Sequence, residues 1–214
     1  MIVINFDEYN INRKNILQDL PTSVFVYPTD TIYGIGCNAL DEKLVQKIRQ
    51  IKKTAQPFSI IVPSKEWIYE NCVVTEEAEE WIRKLPGPYT LVLRLKNIKA
   101  VAKNVHNVKD NNITIGVRMP NHWFLALSYT LKMPIVTTSA NIPGQDFMTS
   151  LEDLDLSIRN HVDYVFYDGP KKGVPSTIIH LEGEKVEVTP RHELRLIHKK
   201  IQFPLNEITL TRKK

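Results

Sequence analysis

The chain has 214 residues, 43% of them hydrophobic and 24% charged, with a formal net charge of +4. That is the make-up of an ordinary soluble globular protein with enough chain for a sizeable core, and it excludes disordered, collagen-like and disulfide-stapled classes. No apolar run nears the roughly 18 residues of a membrane-spanning helix, and the mild excess of basic residues suits an anionic ligand or RNA without demanding either. Cys37 and Cys72 stand alone, with no metal-ligand or disulfide spacing, and the first ten residues lack the pattern of a signal peptide. Both features lead us to expect a reducing cytoplasm.

In chain order, MIVINF reads as a strand, Glu8 to Leu20 as a helix and SVFVY as a second strand. PTDT breaks that strand, and GIGCNA after it is short and extended. DEKLVQKIRQIKK is the clearest helix: Leu44, Val45, Ile48 and Ile51 share a face, and Asp41 stands where an N-cap belongs. FSIIVPS is a strand, and two short helices follow, opened by Ser64 and Thr75. TLVLRLK, ITIGVRMP, PIVTTSA, DYVFYD, STIIHL and KVEVTP supply further strands, with a helix expected from Asn121 to Lys132. Roughly nine strands and five or six helices alternate without an internal repeat, which predicts a single mixed α/β domain. Glu193 to Lys214 reads as helical at first and then irregular.

Familiar catalytic motifs are missing. GPKKGVPST has the wrong spacing for a P-loop, GIGCNA lacks the third glycine of a dinucleotide fingerprint, and there is no HExxH or GxSxG. What remains is a set of polar clusters, each at the end of a predicted strand: Pro28 to Thr31, Ile51 to Ser59, Ile113 to Pro120, Val136 to Asn141 and Val174 to Ile179. Loops at strand ends converge on ligands in α/β sheets. Lys52, Lys53 and Arg118 bring positive charge there, while Thr31, Thr137, Ser139, Ser176 and Asn141 bring neutral donors. Such a set suits a polyanion or a carboxylate. Each cluster alone also has a structural explanation: PTDT as a turn, Ser-Ala-Asn as a cap, and the two lysines as complements to a helix dipole.

Taken together, PTDTIYGIGCNA, IKK and PFSIIVPS, LPGPYTLVL, IGVRMPNH, VTTSANIPG and PSTIIHL resemble the YrdC/TsaC family of L-threonylcarbamoyladenylate synthases in its short, single-domain form. The likeness runs from about Ser23 to Arg191 in uninterrupted order. It implies an open, twisted, mixed α/β sheet with flanking helices around a large cationic cavity, formed by residues 1–192, with residues 193–214 a basic extension of unassigned role. The reaction implied condenses L-threonine, bicarbonate and ATP into threonylcarbamoyl-AMP and pyrophosphate. A TsaD-type transferase then moves the group to tRNAs that read ANN codons. Mg²⁺ is expected with ATP, no tightly bound cofactor or resident metal is, and tRNA or double-stranded RNA is a further expected partner.

Matched motif by motif, Thr31, Arg118, Thr137 and Ser176 fall at the positions that hold threonine. Lys52, Lys53, Thr114, Ser139, Asn141 and Arg191 fall on the ATP side, with Lys52, Ser139 and Asn141 as the catalytic set. One departure stands out: the family's K-x-R-P reads Lys52-Lys53-Thr54-Ala55 here, in a loop about two residues shorter. Lysine cannot reproduce the planar, multi-donor grip of the absent arginine, so we expect Lys52 and Lys53 to share its role. The alternative reading is a degenerate module that binds double-stranded RNA or nucleotide without catalysis. The related domain of hydrogenase-maturation carbamoyltransferases sits in much longer, cysteine-rich chains and is set aside.

Overall fold

The computed structural model describes residues 1–109, 112–171, 173–183 and 185–190. Their elements are β1 (Ile2–Ile4), α1 (Phe6–Asp19), β2 (Phe25–Tyr27), β3 (Gly34–Gly36), α2 (Glu42–Lys52), β4 (Ser59–Ile61), α3 (Lys65–Asn71), α4 (Glu76–Arg83) and β5 (Tyr89–Arg94). They continue with β6 (Asn107–Lys109), β7 (Asn112–Arg118), α5 (Leu125–Leu131), β8 (Ile135–Ser139), α6 (Leu156–Arg159), β9 (Tyr164–Phe166), β10 (Thr177–His180) and β11 (Glu187–Thr189). The strands form one mixed sheet in the order β1-β9-β2-β3-β8-β4-β7-β5-β10-β11, with β6 added against β7.

Local chemistry sets the helix boundaries. Asn5 and Glu8 close a reciprocal capping box at the start of α1. Asp41 caps α2 by accepting from the backbone of Lys43 and Leu44, and Ser64 and Thr75 cap α3 and α4, as the sequence predicts. The helix expected from Asn121 is a single turn shorter and begins at Leu125. His122 folds back on the chain there, its ring nitrogen accepting from the Phe124 amide. β6 and α6, three and four residues long, carry too few side chains to produce a readable period.

The helices divide between two cores. Val45, Ile48 and Ile51 of α2, Ile68 of α3, and Ala78 and Ile82 of α4 pack on one face with Val26, Ile60 and Val117. Tyr9 and Ile16 of α1 and Leu127 of α5 cover the other, against an aromatic stack in which Tyr27 and Phe124 lie parallel at 4.4 Å. Cover on both sides leaves every residue of β2, β3 and β9 buried. Two glycines make that possible in β3. A side chain on Gly34 or Gly36 would meet the Tyr27 ring, and one on Gly36 would also meet the Val136 carbonyl.

Candidate active site

Three strand-end segments meet over the sheet: residues 28–33 after β2, 119–124 after β7, and 167–171 with 173–176 after β9. The first is held by its own hydroxyls. Thr29 Oγ1 donates to the Ile32 carbonyl at 2.7 Å and lies 2.9 Å from Thr31 Oγ1. With the Thr29 proton committed, the Thr31 hydroxyl donates to Thr29, which leaves Thr31 Oγ1 to accept. It accepts from Arg118 Nη2 at 3.0 Å. The same nitrogen reaches Asp30 Oδ1 at 3.4 Å, and Asp30 Oδ2 accepts from the Asn121 amide at 2.9 Å. Burying the guanidinium, only 7% exposed as a residue, is offset by this carboxylate and hydroxyl. The PTDT turn is therefore the mount of an arginine at the end of β7.

The Ser-Ala-Asn turn after β8 is built just as tightly. Ser139 Oγ donates to Asn141 Oδ1 at 2.5 Å, and Asn141 Nδ2 donates to the Gln145 carbonyl at 2.8 Å. From behind, Lys52 Nζ donates to the carbonyls of Ser139 and Asn141 at 2.5 and 2.7 Å. Lys52 is 3% exposed, so its charge sits under the turn and adds to the field in front of it.

Between these turns lies a cavity of about 580 Å³. Its floor follows from strand register: Thr137 of β8 pairs with Ser59 of β4, which pairs with Gly116 of β7. Gly116 keeps the floor low, since a side chain there would strike Ser59 and reach 3.2 Å from Thr90 Cγ2. Ser176 lies on the far wall, its hydroxyl 2.8 Å from that of Thr90. Among the described lining residues Arg118 is the cation and Asp146 the carboxylate; the other polar groups are hydroxyls and amides. Tyr33 also lines the cavity, and burial pushes its phenol well above its ordinary range. It stays neutral near neutral pH, and its one proton is donated to the Gly169 carbonyl at 2.7 Å while its oxygen accepts from the Asp168 amide at 3.0 Å, so it ties the cavity wall to that turn.

Of the residues singled out in the sequence, Arg118, Thr137, Ser139, Asn141 and Ser176 line one cavity. Thr31 touches it through Arg118, and Lys52 supports it from behind. Thr114 shares the inward face of β7 but lies beyond Gly116, off the wall, and Lys53 also stands off it, at the end of α2. Arg191 lies outside the described residues. Sequence reasoning gave no role to Tyr33, Thr90 or residues 145–147, and carried Ser59 no further than the end of a polar cluster. A buried threonine in the apolar run TLVLRL is the one signal that could have pointed to Thr90.

The comparisons with known proteins agree with this geometry. The Sua5, YciO and YrdC family model, described as telomere recombination, matches residues 22–192. A putative threonylcarbamoyl-AMP synthase of Methanocaldococcus jannaschii is 36% identical over 193 residues, covering 83% of this chain and 87% of that protein. Threonylcarbamoyl-AMP synthase of Xylella fastidiosa is 30% identical over 158 residues, 71% of this chain and 81% of that one. Sua5 of P. abyssi, solved with L-threonine, superposes with a TM-score of 0.74 at 30% identity over 88% of this chain; the match spans only 56% of the Sua5 chain. E. coli YciO, at 23% identity, shares the fold with a TM-score of 0.76 over 89% of this chain and 94% of its own. With its strand order, its strand-end turns and a family match over most of its length, this chain belongs to the Sua5/YciO/YrdC family.

Proposed function

We propose that the protein is an L-threonylcarbamoyladenylate synthase that joins L-threonine, bicarbonate and ATP into threonylcarbamoyl-AMP with release of pyrophosphate. The observation that carries this is a mounted arginine facing a rigid Ser139–Asn141 turn across one cavity. In this reading Arg118, with Thr31 beside it, takes the threonine carboxylate, where a forked guanidinium matches two oxygens. Thr137 and Ser176 hold the rest of the amino acid. Ser139 and Asn141 orient the nucleotide, and Lys52 fixes their turn and lends it positive potential. The carbamate formed on the threonine amine attacks the α-phosphorus, so two anions must be brought into line. Fixed dipoles and charge lower that barrier without any protein nucleophile.

The charge balance bears on the metal. A single cation on the described wall cannot neutralise a triphosphate, and no three His, Cys, Asp or Glu side chains cluster among the described residues. That donor set fits Mg²⁺ entering with ATP as part of the substrate. The product would pass to a TsaD-type transferase for tRNA modification in the cytoplasm. Residues 193–214 are assigned no part in the reaction.

Thr54 in place of the family arginine favours the second reading, a module that binds nucleotide or double-stranded RNA without turnover. A pyrophosphate-release assay with ATP and Mg²⁺, omitting threonine and bicarbonate in turn, separates the two. We expect release that requires both; release indifferent to either omission would sink the synthase reading. Salt-sensitive RNA binding with no threonine-dependent turnover would establish the module instead.

A further inference from the structure

The shortened loop between α2 and β4 is held by a residue to which the reaction assigns no part. Arg49 lies one turn before the end of α2, and its guanidinium fills the inside of the loop. Nη1 donates to the carbonyls of Gln56 at 2.7 Å and Thr54 at 3.4 Å. Nε and Nη2 both donate to the Asn104 carbonyl, at 3.1 and 2.6 Å. The guanidinium carbon sits 4.4 Å from the centre of the Phe58 ring, a stacked cation–π arrangement. One side chain thus joins a helix, the loop and the turn that precedes β6. Only a planar group with several fixed donors can serve three carbonyls and a ring at once.

The loop is the cavity's edge. Gln56, Pro57, Phe58 and Ser59 all line it. The carbonyls of Thr54 and Gln56 turn inward to Arg49, and the Phe58 amide donates to the Val105 carbonyl at 3.1 Å. Resting on the functional reading above and on the family likeness, which sets Lys52 and the loop after it on the ATP side, we propose that Arg49 is a positioning residue for ATP. It preorganises a loop too short, and too poor in charge, to clamp phosphates by itself. The missing arginine of the loop is thereby replaced by an arginine under the loop: rigidity stands in for direct contact. Ordering a loop before the ligand arrives removes that cost from binding, and it acts on the ligand the loop faces.

The test compares Arg49→Met and Arg49→Lys with the wild type in three measurements: hydrogen exchange of the Gln56 and Phe58 amides, calorimetric binding of Mg²⁺–ATP without threonine, and steady-state kinetics. We expect Arg49→Met to raise exchange in the loop, weaken ATP binding about tenfold and raise the KM for ATP by a similar factor. kcat and the KM for threonine should move less than about twofold, a split that general loss of structure would not give. Arg49→Lys keeps the charge and loses the fork, so it should behave like the methionine variant. Unchanged exchange in Arg49→Met, full rescue by lysine, or an equal rise in both KM values would each overturn the proposal. Exchange and calorimetry need no turnover. A wild type that binds ATP but makes no pyrophosphate would therefore refute the synthase reading while leaving Arg49 to be judged separately.

Discussion

Arg118 is defined by what holds it. Thr31 and Asp30 fix one end of the guanidinium, so it meets a ligand without reordering. Arg118→Lys keeps the charge but gives up the fork, and we expect the KM for threonine to rise about 10- to 100-fold, with a smaller change in the KM for ATP. Substrate-dependence curves for each substrate check this. Two glycines make a sharper contrast. A methyl group at Gly36 meets the Val136 backbone and the Tyr27 ring, neither of which can move away. Gly36→Ala should therefore lower stability by on the order of 1–3 kcal/mol. At Gly116 the hardest contact is the Ser59 hydroxyl, which can rotate away, leaving closer-than-usual approaches to Ser59 Cβ at 3.1 Å and a Thr90 methyl at 3.2 Å. Gly116→Ala should lower stability less than Gly36→Ala and raise substrate KM values by crowding Ser59 on the cavity floor. Arg118 and the Ser139–Asn141 pair were legible because their residue types are chemically pointed. Arg49 was not: in sequence it is one more charge on the exposed side of a helix, and its partners lie as far away as Asn104.

Elements with a period and a cap were readable, and α2 is the best case. Its buried Val45, Ile48 and Ile51 and its Asp41 cap fall where the pattern puts them. Its other end holds a division the sequence does not display. Two lysines after a helix suggest a pair of phosphate ligands, yet the backbone separates them. Lys52 is the last helical residue and turns under the Ser-Ala-Asn turn. Lys53 ends the helix in the left-handed region, at φ +49°, and its side chain is exposed. A non-glycine residue there costs roughly 1 kcal/mol. Lys53→Gly should therefore hold or raise stability by up to about 1 kcal/mol and leave the KM for ATP within about twofold. A large rise in that KM would restore Lys53 to the phosphate site. No local pattern distinguishes neighbours by the φ angle one of them adopts, so this division could be seen only in three dimensions. β6 escaped for a different reason: it is a strand only because β7 lies beside it.

Across the whole molecule, the site depends on turns from both halves of the sheet meeting above β8 and β4. β9 and β7 are separated by four strands, yet His122 after β7 lies 2.9 Å from Asp168 after β9. Lys171 completes the group, 3.1 Å from the same carboxylate oxygen. This bond ties residues 167–171, after β9, to the turn that follows Arg118. Burial, with Lys171 nearby, pulls the His122 pKa below its ordinary 6.5, against the opposing pull of Asp168 and Asp30. Asp168 is exposed but loses some water on its inner side, which alone would raise it; hydrogen bonds from His122 and Lys171 hold it below its ordinary 3.8. The sign follows from linkage. A histidine kept neutral by the fold takes up its proton more readily when unfolded, so its contribution is complete above pH 6.5 and is lost as pH falls below that value. The depressed Asp168 adds a loss of the same sign further down, below pH 3.8. The thermal midpoint should thus fall as pH drops from about 7.5 to about 5.5. His122→Gln, uncharged throughout, should flatten that slope. His106, also held low by burial, adds to the slope elsewhere in the fold, so the variant removes part of it and not all. A slope identical in the wild type and the variant would show that the link between the two halves does not depend on a neutral His122.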